Sequence, residues 1–213
     1  MLLTTGLLAI TAHATLVYTG DMVVTASDPT QQGRLLRGGT GQDWSGGELF
    51  PGVNNAGATF HYSTLTLDFD TLIAGLGVDY GGFVQINFDS ESADTFLSAY
   101  LDSYNPANKA QNWLGDEGSS GNIFGNPQFF QVIVPFGHDL VLLLNETALG
   151  GFGLDVPGTV LVEAFSDTEY TDLAPRRELP EPDALALLLA AVAAAAVAAR
   201  RRTALTRRTA VAA

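Results

Sequence analysis

Three groups of acidic residues stand close together in the chain: Asp68 with Asp70, Asp89 with Glu91 and Asp94, and Asp116 with Glu117. Ca2+ takes about six to eight oxygen donors from carboxylates and carbonyls in flexible loops, and these are the acids able to offer them. Asp68 and Asp70 lie two apart in a segment that reads as a strand, so they share one face. None of the groups follows the D-x-[DN]-x-[DN]-G order of an EF-hand, and acids in solvated turns give the same pattern. A second constellation is aromatic. Tyr100, Tyr104 and Trp113 bracket Asn105-Pro106; rings beside a polar loop suit a sugar, and they serve equally to pack that loop onto a sheet.

Catalytic chemistry finds little footing. The chain has no cysteine, which excludes a thiol nucleophile, a thiolate metal site and a disulfide framework. Its three histidines are His13, His61 and His138. His61 sits inside a strand-like run and reads as structural; His138 sits beside Asp139 in a turn. G-x-S-x-G, H-E-x-x-H and the P-loop are all absent. The glycines of GLGVDYGG at residues 75–82 miss the G-x-G-x-x-G spacing by one position. A hydrolase would need paired carboxylates converging in a cleft.

The elements that would position these residues read as strands. Residues 59–69 are rich in β-branched and aromatic types, and FVQINF at 83–88 alternates. Residues 129–134 and 140–145 flank Pro135-Phe136-Gly137-His138-Asp139 in a hairpin-like arrangement, and residues 160–165 close the set. With 23 Gly and 9 Pro for turns, and no amphipathic helix before the C-terminus, the pattern predicts an all-β fold. An antiparallel β-sandwich of jelly-roll type over residues 15–168 is the expectation. Only Arg34, Arg37 and Lys109 are basic between residues 15 and 175, against 20 acids, a net −17. Such a field repels phosphate backbones, so no nucleic-acid partner is expected.

The termini carry addresses. MLLTTGLLAITAHA has a short apolar stretch and an Ala-His-Ala step that fits signal-peptidase cleavage after residue 14, although no Lys or Arg precedes the stretch. Residues 1–14 read as a signal peptide, truncated at its start, with a first β-strand as the alternative. At the other end, a linker over 169–178 leads into Leu179-Pro180-Glu181-Pro182. From Ala184 to Ala199 run sixteen residues without a polar side chain, ten Ala, four Leu and two Val, followed by Arg200-Arg201-Arg202 and an 11-residue tail over 203–213. As a helix the run spans roughly 24 Å, short for the roughly 30 Å hydrocarbon core. It predicts a marginal transmembrane helix with the arginines cytoplasmic and the acidic domain across the membrane; an Ala-rich helix packed on the domain is the alternative, without the polar face it would need.

This order of Pro-Glu-Pro, apolar run and arginine cluster over residues 179–202 resembles a PEP-CTERM sorting signal. The resemblance implies recognition and processing by exosortase, a membrane protease of Gram-negative bacteria, with Pro180, Glu181 and Pro182 as the sorting motif. It also implies a transient anchor in the inner membrane, then a cell-surface or secreted product. Two prolines hold Glu181 in an extended segment that a protease can bind as a strand. Leu179 stands where valine is frequent, and the helix is unusually rich in alanine.

A second resemblance covers about residues 27–165. Asp28 to Gly39 (DPTQQGRLLRGG), Ala99-Tyr100-Leu101, Asn105-Pro106-Ala107-Asn108, Trp113-Leu114-Gly115-Asp116, Val134-Pro135-Phe136-Gly137 and Leu142-Leu143-Leu144-Asn145-Glu146 are similar to the β-sandwich of exported bacterial proteins related to the pre-peptidase C-terminal domain. Two cysteines that many relatives carry are missing. The resemblance implies an accessory or adhesive module. The expectation is therefore an exported, non-catalytic component of the cell surface, biofilm or extracellular matrix, with exopolysaccharide as a partner. A calcium-dependent carbohydrate-binding module is the main alternative and a hydrolase a weaker one.

Overall fold

The computed structural model describes residues 14–39, 41–74, 80–120 and 128–165. Residues 1–13 of the expected signal peptide, the expected linker over 169–178, the expected sorting motif Pro180-Glu181-Pro182, the apolar run, Arg200-Arg201-Arg202 and the 203–213 tail all lie outside the described residues. Among the described residues no helix is long and apolar enough to cross a membrane.

The described chain forms nine strands and one short helix: β1 (Thr15–Met22), β2 (Thr30–Leu35), β3 (Val53–Leu67), α1 (Phe69–Ala74), β4 (Phe83–Ser90), β5 (Thr95–Leu101), β6 (Trp113–Asp116), β7 (Gln128–Ile133), β8 (Leu140–Glu146) and β9 (Gly158–Phe165). They build two sheets, ordered β1-β9-β4-β7 and β2-β3-β8-β5-β6, with antiparallel pairing between all neighbours. The fold is thus an all-β sandwich.

Alternation explains the four-stranded sheet. Val84, Ile86 and Phe88 of β4, and Val160, Val162 and Ala164 of β9, are fully buried, whereas their neighbours face outward. These side chains meet Leu97 and Ala99 of β5 and Leu140, Leu142 and Leu144 of β8 in one core. Strand β8 reads LVLLLNE and is buried at every position. An unbroken apolar run of this kind signals cover on both faces, and the outer cover is a second cluster of Tyr100, Val141 and Leu143 under Tyr62, Tyr104 and Trp113.

Several expectations need correction. Strand β3 stops at Leu67 and α1 follows, so Asp68 and Asp70 are not strand neighbours sharing a face. Asp68 instead caps the helix, accepting from the Thr71 N–H at 3.1 Å and the Thr71 hydroxyl at 2.7 Å, while Phe69 and Ile73, four apart, enter the core. A helix this short leaves too few residues for a periodic pattern to register. The Pro135–Asp139 connection is not a hairpin: β7 pairs with β4 in one sheet and β8 with β3 and β5 in the other. Strands β1, β2, β5 and β6 join the expected set. Of these β2, TQQGRL, is largely polar and carries a bulge at Gly33, whose φ of 70° places a would-be Cβ 2.6 Å from Val53 Cγ1.

Candidate functional site

The connection from β5 to β6, residues 102–112, folds back over the outer face of the five-stranded sheet. Asp102 and Asn112 open and close it in left-handed conformations, with φ of 61° and 62°, a geometry that Asn and Asp tolerate better than most residues. Asn105 Oδ1 accepts from the Ala107 N–H at 3.0 Å, and the Asn105 and Asn108 carbonyls accept from Asn108 and Gln111 N–H groups. Two side chains tie this loop to β2. Lys109 Nζ donates to the carbonyls of Gln32 and Pro106, both at 2.8 Å, and the Tyr104 hydroxyl donates to Gln31 Oε1.

The aromatic triad predicted around Asn105-Pro106 is brought together, mainly as packing. Tyr100 is fully buried, so it presents no ring face to a sugar. Tyr104 meets Tyr100 edge-on at 4.8 Å and Tyr62 at 5.2 Å. Trp113 lies between Trp44 and Phe50, with centroids at 5.1 and 5.7 Å. Burial drives the Tyr100 and Tyr104 hydroxyl pKa values well up, with Tyr104 adding to the rise of Tyr100 and Tyr62 to that of Tyr104.

Beside the triad, the β2–β3 ribbon and the loop enclose an open cleft of about 570 Å3. Phe50, Val53, Ala56, Pro106 and Ala107 form its apolar walls; Thr30, Gln31, Gln32, Asn108 and Lys109 bring the polar groups. Gln31 Nε2 is buried without a hydrogen-bond partner. The Lys109 ammonium is buried among carbonyls, and desolvation lowers its pKa. Arg34, also buried, donates from Nε to the Thr147 carbonyl at 3.0 Å and from Nη1 to the Leu35 carbonyl at 2.9 Å. Burial, then the charge of Arg37, lowers its pKa. Arg37 Nη1 donates to Ser120 Oγ at 2.5 Å. The two ion pairs among the described residues both use histidine, His61–Glu146 at 2.8 Å and His138–Asp102 at 2.9 Å. None of the three described Lys and Arg residues has a carboxylate within salt-bridge distance among the described residues.

The acids predicted as cation ligands are dispersed. Asp70 accepts from the Gly137 N–H with both oxygens, at 3.1 and 3.0 Å, pinning α1 to the β7–β8 turn. Asp89 and Glu91 border a cleft of about 270 Å3 with Asp21, Pro157 and Thr159. Asp94 uses its carbonyl to accept from the Thr147 N–H at 2.7 Å. Among the described residues no group of three or more His, Cys, Asp or Glu could hold a metal.

Asp116 and Glu117 differ from the others because they are 1% and 0% exposed. Each spends one oxygen on the backbone: Asp116 Oδ1 accepts from the Gly118 N–H at 2.8 Å, and Glu117 Oε1 from the Leu97 N–H at 2.9 Å. Asp116 Oδ2 and Glu117 Oε2 are buried and unpartnered. Burial lifts the Asp116 pKa to about 7 against the pull of Gly118. It lifts Glu117 well above the carboxylate range, with Leu97 and Arg37 opposing and Asp116 adding to the rise. Both therefore hold a proton where exposed acids have lost theirs.

His61, expected to be structural, receives a structural role: its Nδ1 and its backbone N–H both lie 2.8 Å from Glu146 Oε1, clamping β3 to the end of β8. Sequence reasoning missed Gln31, Phe50 and Lys109 as cleft residues. The signal that could have found Lys109 was its rarity, one of three basic residues in an acidic domain. Comparison with protein-family models, curated proteins and solved structures gives no match.

Proposed function

We propose that the chain is an exported, non-catalytic β-sandwich that serves at the bacterial cell surface or in the extracellular matrix. In this reading exosortase sorts it at the inner membrane and cleaves it at Pro180-Glu181-Pro182. The observation that carries this is the fixed order of Leu179-Pro180-Glu181-Pro182, sixteen apolar residues and Arg200-Arg201-Arg202. Pro-Glu-Pro alone recurs by chance; the three parts in this order make physical sense as an extended recognition segment, a short span and a cytoplasmic stop.

The sandwich supports the reading from the other side. Most of its connections, such as β1 to β2, β4 to β5, β6 to β7, β7 to β8 and β8 to β9, pass from one sheet to the other, which favours a jelly roll. Such a fold buries most of its hydrophobic side chains between the sheets and leaves loops and outer sheet faces on display.

Intact mass and fractionation of the protein from its host, with and without exosortase, test the reading. Loss of the segment beyond residues 180–182 and of membrane association, only in the strain with exosortase, is the expected result. An unchanged mass and membrane retention in both strains would make it a simple tail-anchored protein and overturn the proposal.

A further inference from the structure

Of the three Lys and Arg residues of the described chain, Lys109 brings its ammonium to the place where β2 meets the β5–β6 loop. Arg34, on β2, and Arg37, two residues beyond it, turn to other partners, the Thr147 and Leu35 carbonyls and the Ser120 hydroxyl. In a domain of net −17 over residues 15–175, Lys109 is the one cation lining this cleft, so an anionic group is held there by local contact and not drawn by the field of the domain. Burying a cation without an anion is costly, yet Arg34 and Lys109 are each only 6% exposed and bond backbone carbonyls rather than carboxylates. The third N–H of Lys109 has no acceptor among the described residues.

The same cleft carries a second unmet demand. Gln31 is 3% exposed, its Oε1 is engaged by Tyr104, and its Nε2 is buried with no acceptor. A donor left unpaired costs free energy that an incoming oxygen recovers. Around these donors stand the Phe50 ring, Pro106 and the methyls of Val53, Ala56 and Ala107, flanked by Thr30, Gln32 and Asn108. Apolar C–H-bearing walls, amide and hydroxyl groups, and a single ammonium together match one chemistry: a pyranose ring with a carboxylate. A peptide strand fits less well, because the edge of β2 is already guarded; Lys109 occupies the Gln32 carbonyl that an added strand would use.

We propose that the cleft between β2–β3 and residues 106–110 binds an acidic polysaccharide, with a uronate carboxylate at Lys109 and Gln31 and the sugar's C–H face on Phe50 and Pro106. This names a ligand and a site beyond the sorting reading, and it does not depend on whether exosortase cleaves the chain.

Affinity electrophoresis of the full chain in neutral detergent tests it, with polygalacturonate, dextran and polyglutamate cast in separate gels. Retardation by polygalacturonate alone is expected, persisting at about 0.15 M salt because a buried ammonium is little screened. Lys109→Gln removes a charge-assisted bond and weakens retardation roughly tenfold or more. Since that variant also loosens the loop, Ala107→Asp supplies the independent check: it sets a repelling charge at an exposed position on the rim of the cleft, and weakens retardation similarly. Absence of retardation by polygalacturonate, equal retardation in dextran or polyglutamate, or undiminished retardation of Ala107→Asp would each overturn the proposal. Cleavage without binding sinks only this inference; binding without cleavage sinks only the sorting reading.

Discussion

Replacing Asp116 by asparagine separates two opposite roles for this residue, a cation ligand and a buried neutral acid. Asn keeps an oxygen for the Gly118 N–H, 2.8 Å from Asp116 Oδ1, and removes only the ability to ionise. In the folded chain Asp116 titrates near 7, against an ordinary value of 3.8. Between those pH values the folded state holds a proton that the unfolded state has released, so this residue's contribution to stability falls as pH rises from about 4 to about 7 and is level above. The gap corresponds to roughly 4 kcal/mol, an upper bound because buried groups relax and admit water. The 1% exposure of Asp116 leaves little solvent screening to discount. Asp116→Asn should therefore be nearly neutral at pH 4 and more stable than the parent by roughly 2–4 kcal/mol at pH 8. Urea denaturation of both proteins at the two pH values, followed by tryptophan fluorescence, reads the difference. Destabilisation by Asn at pH 8 would refute the reasoning and make Asp116 a charged partner to a cation. A difference that does not change with pH would refute the raised pKa.

Leu142→Ala removes a fully buried side chain at the centre of the sandwich and should cost about 2–5 kcal/mol in the same urea assay. Gly158→Ala places a methyl against the Phe88 ring and 3.1 Å from Ser90 Cβ; overpacking of about 1–3 kcal/mol is expected, and relief by Phe88→Leu in the double variant would verify the contact. Tyr104→Phe deletes the hydroxyl that bonds Gln31, at a cost of about 1 kcal/mol, with faster amide exchange confined to residues 102–112; unaltered exchange there would mean the loop is held without that bond.

The sequence alone determined the fold class, because period-2 alternation in β4 and β9 and the unbroken apolar run of β8 are local records of which faces are covered. It also determined the acidity of the domain and the order of parts at the C-terminus, which are properties of composition and spacing. The proposed sorting motif belongs to the same class of signal, since a protease would read an extended segment one residue after another. Tertiary structure decided what each acid does. Asp68 and Asp70 look alike in sequence to Asp116 and Glu117, but the former cap and pin α1 at the surface while the latter are buried, which raises their pKa values. Burial depends on what the rest of the chain places over a residue, and nothing adjacent in sequence records it. The cleft is the same case at longer range. Gln31, Phe50 and Lys109 stand up to 78 positions apart, and only the register of β2 on β3 and the fold-back of the β5–β6 loop bring them to one surface. Strand pairing is non-local, so the sequence fixes which residues can pair with a sheet, while the sheet order fixes which of them meet.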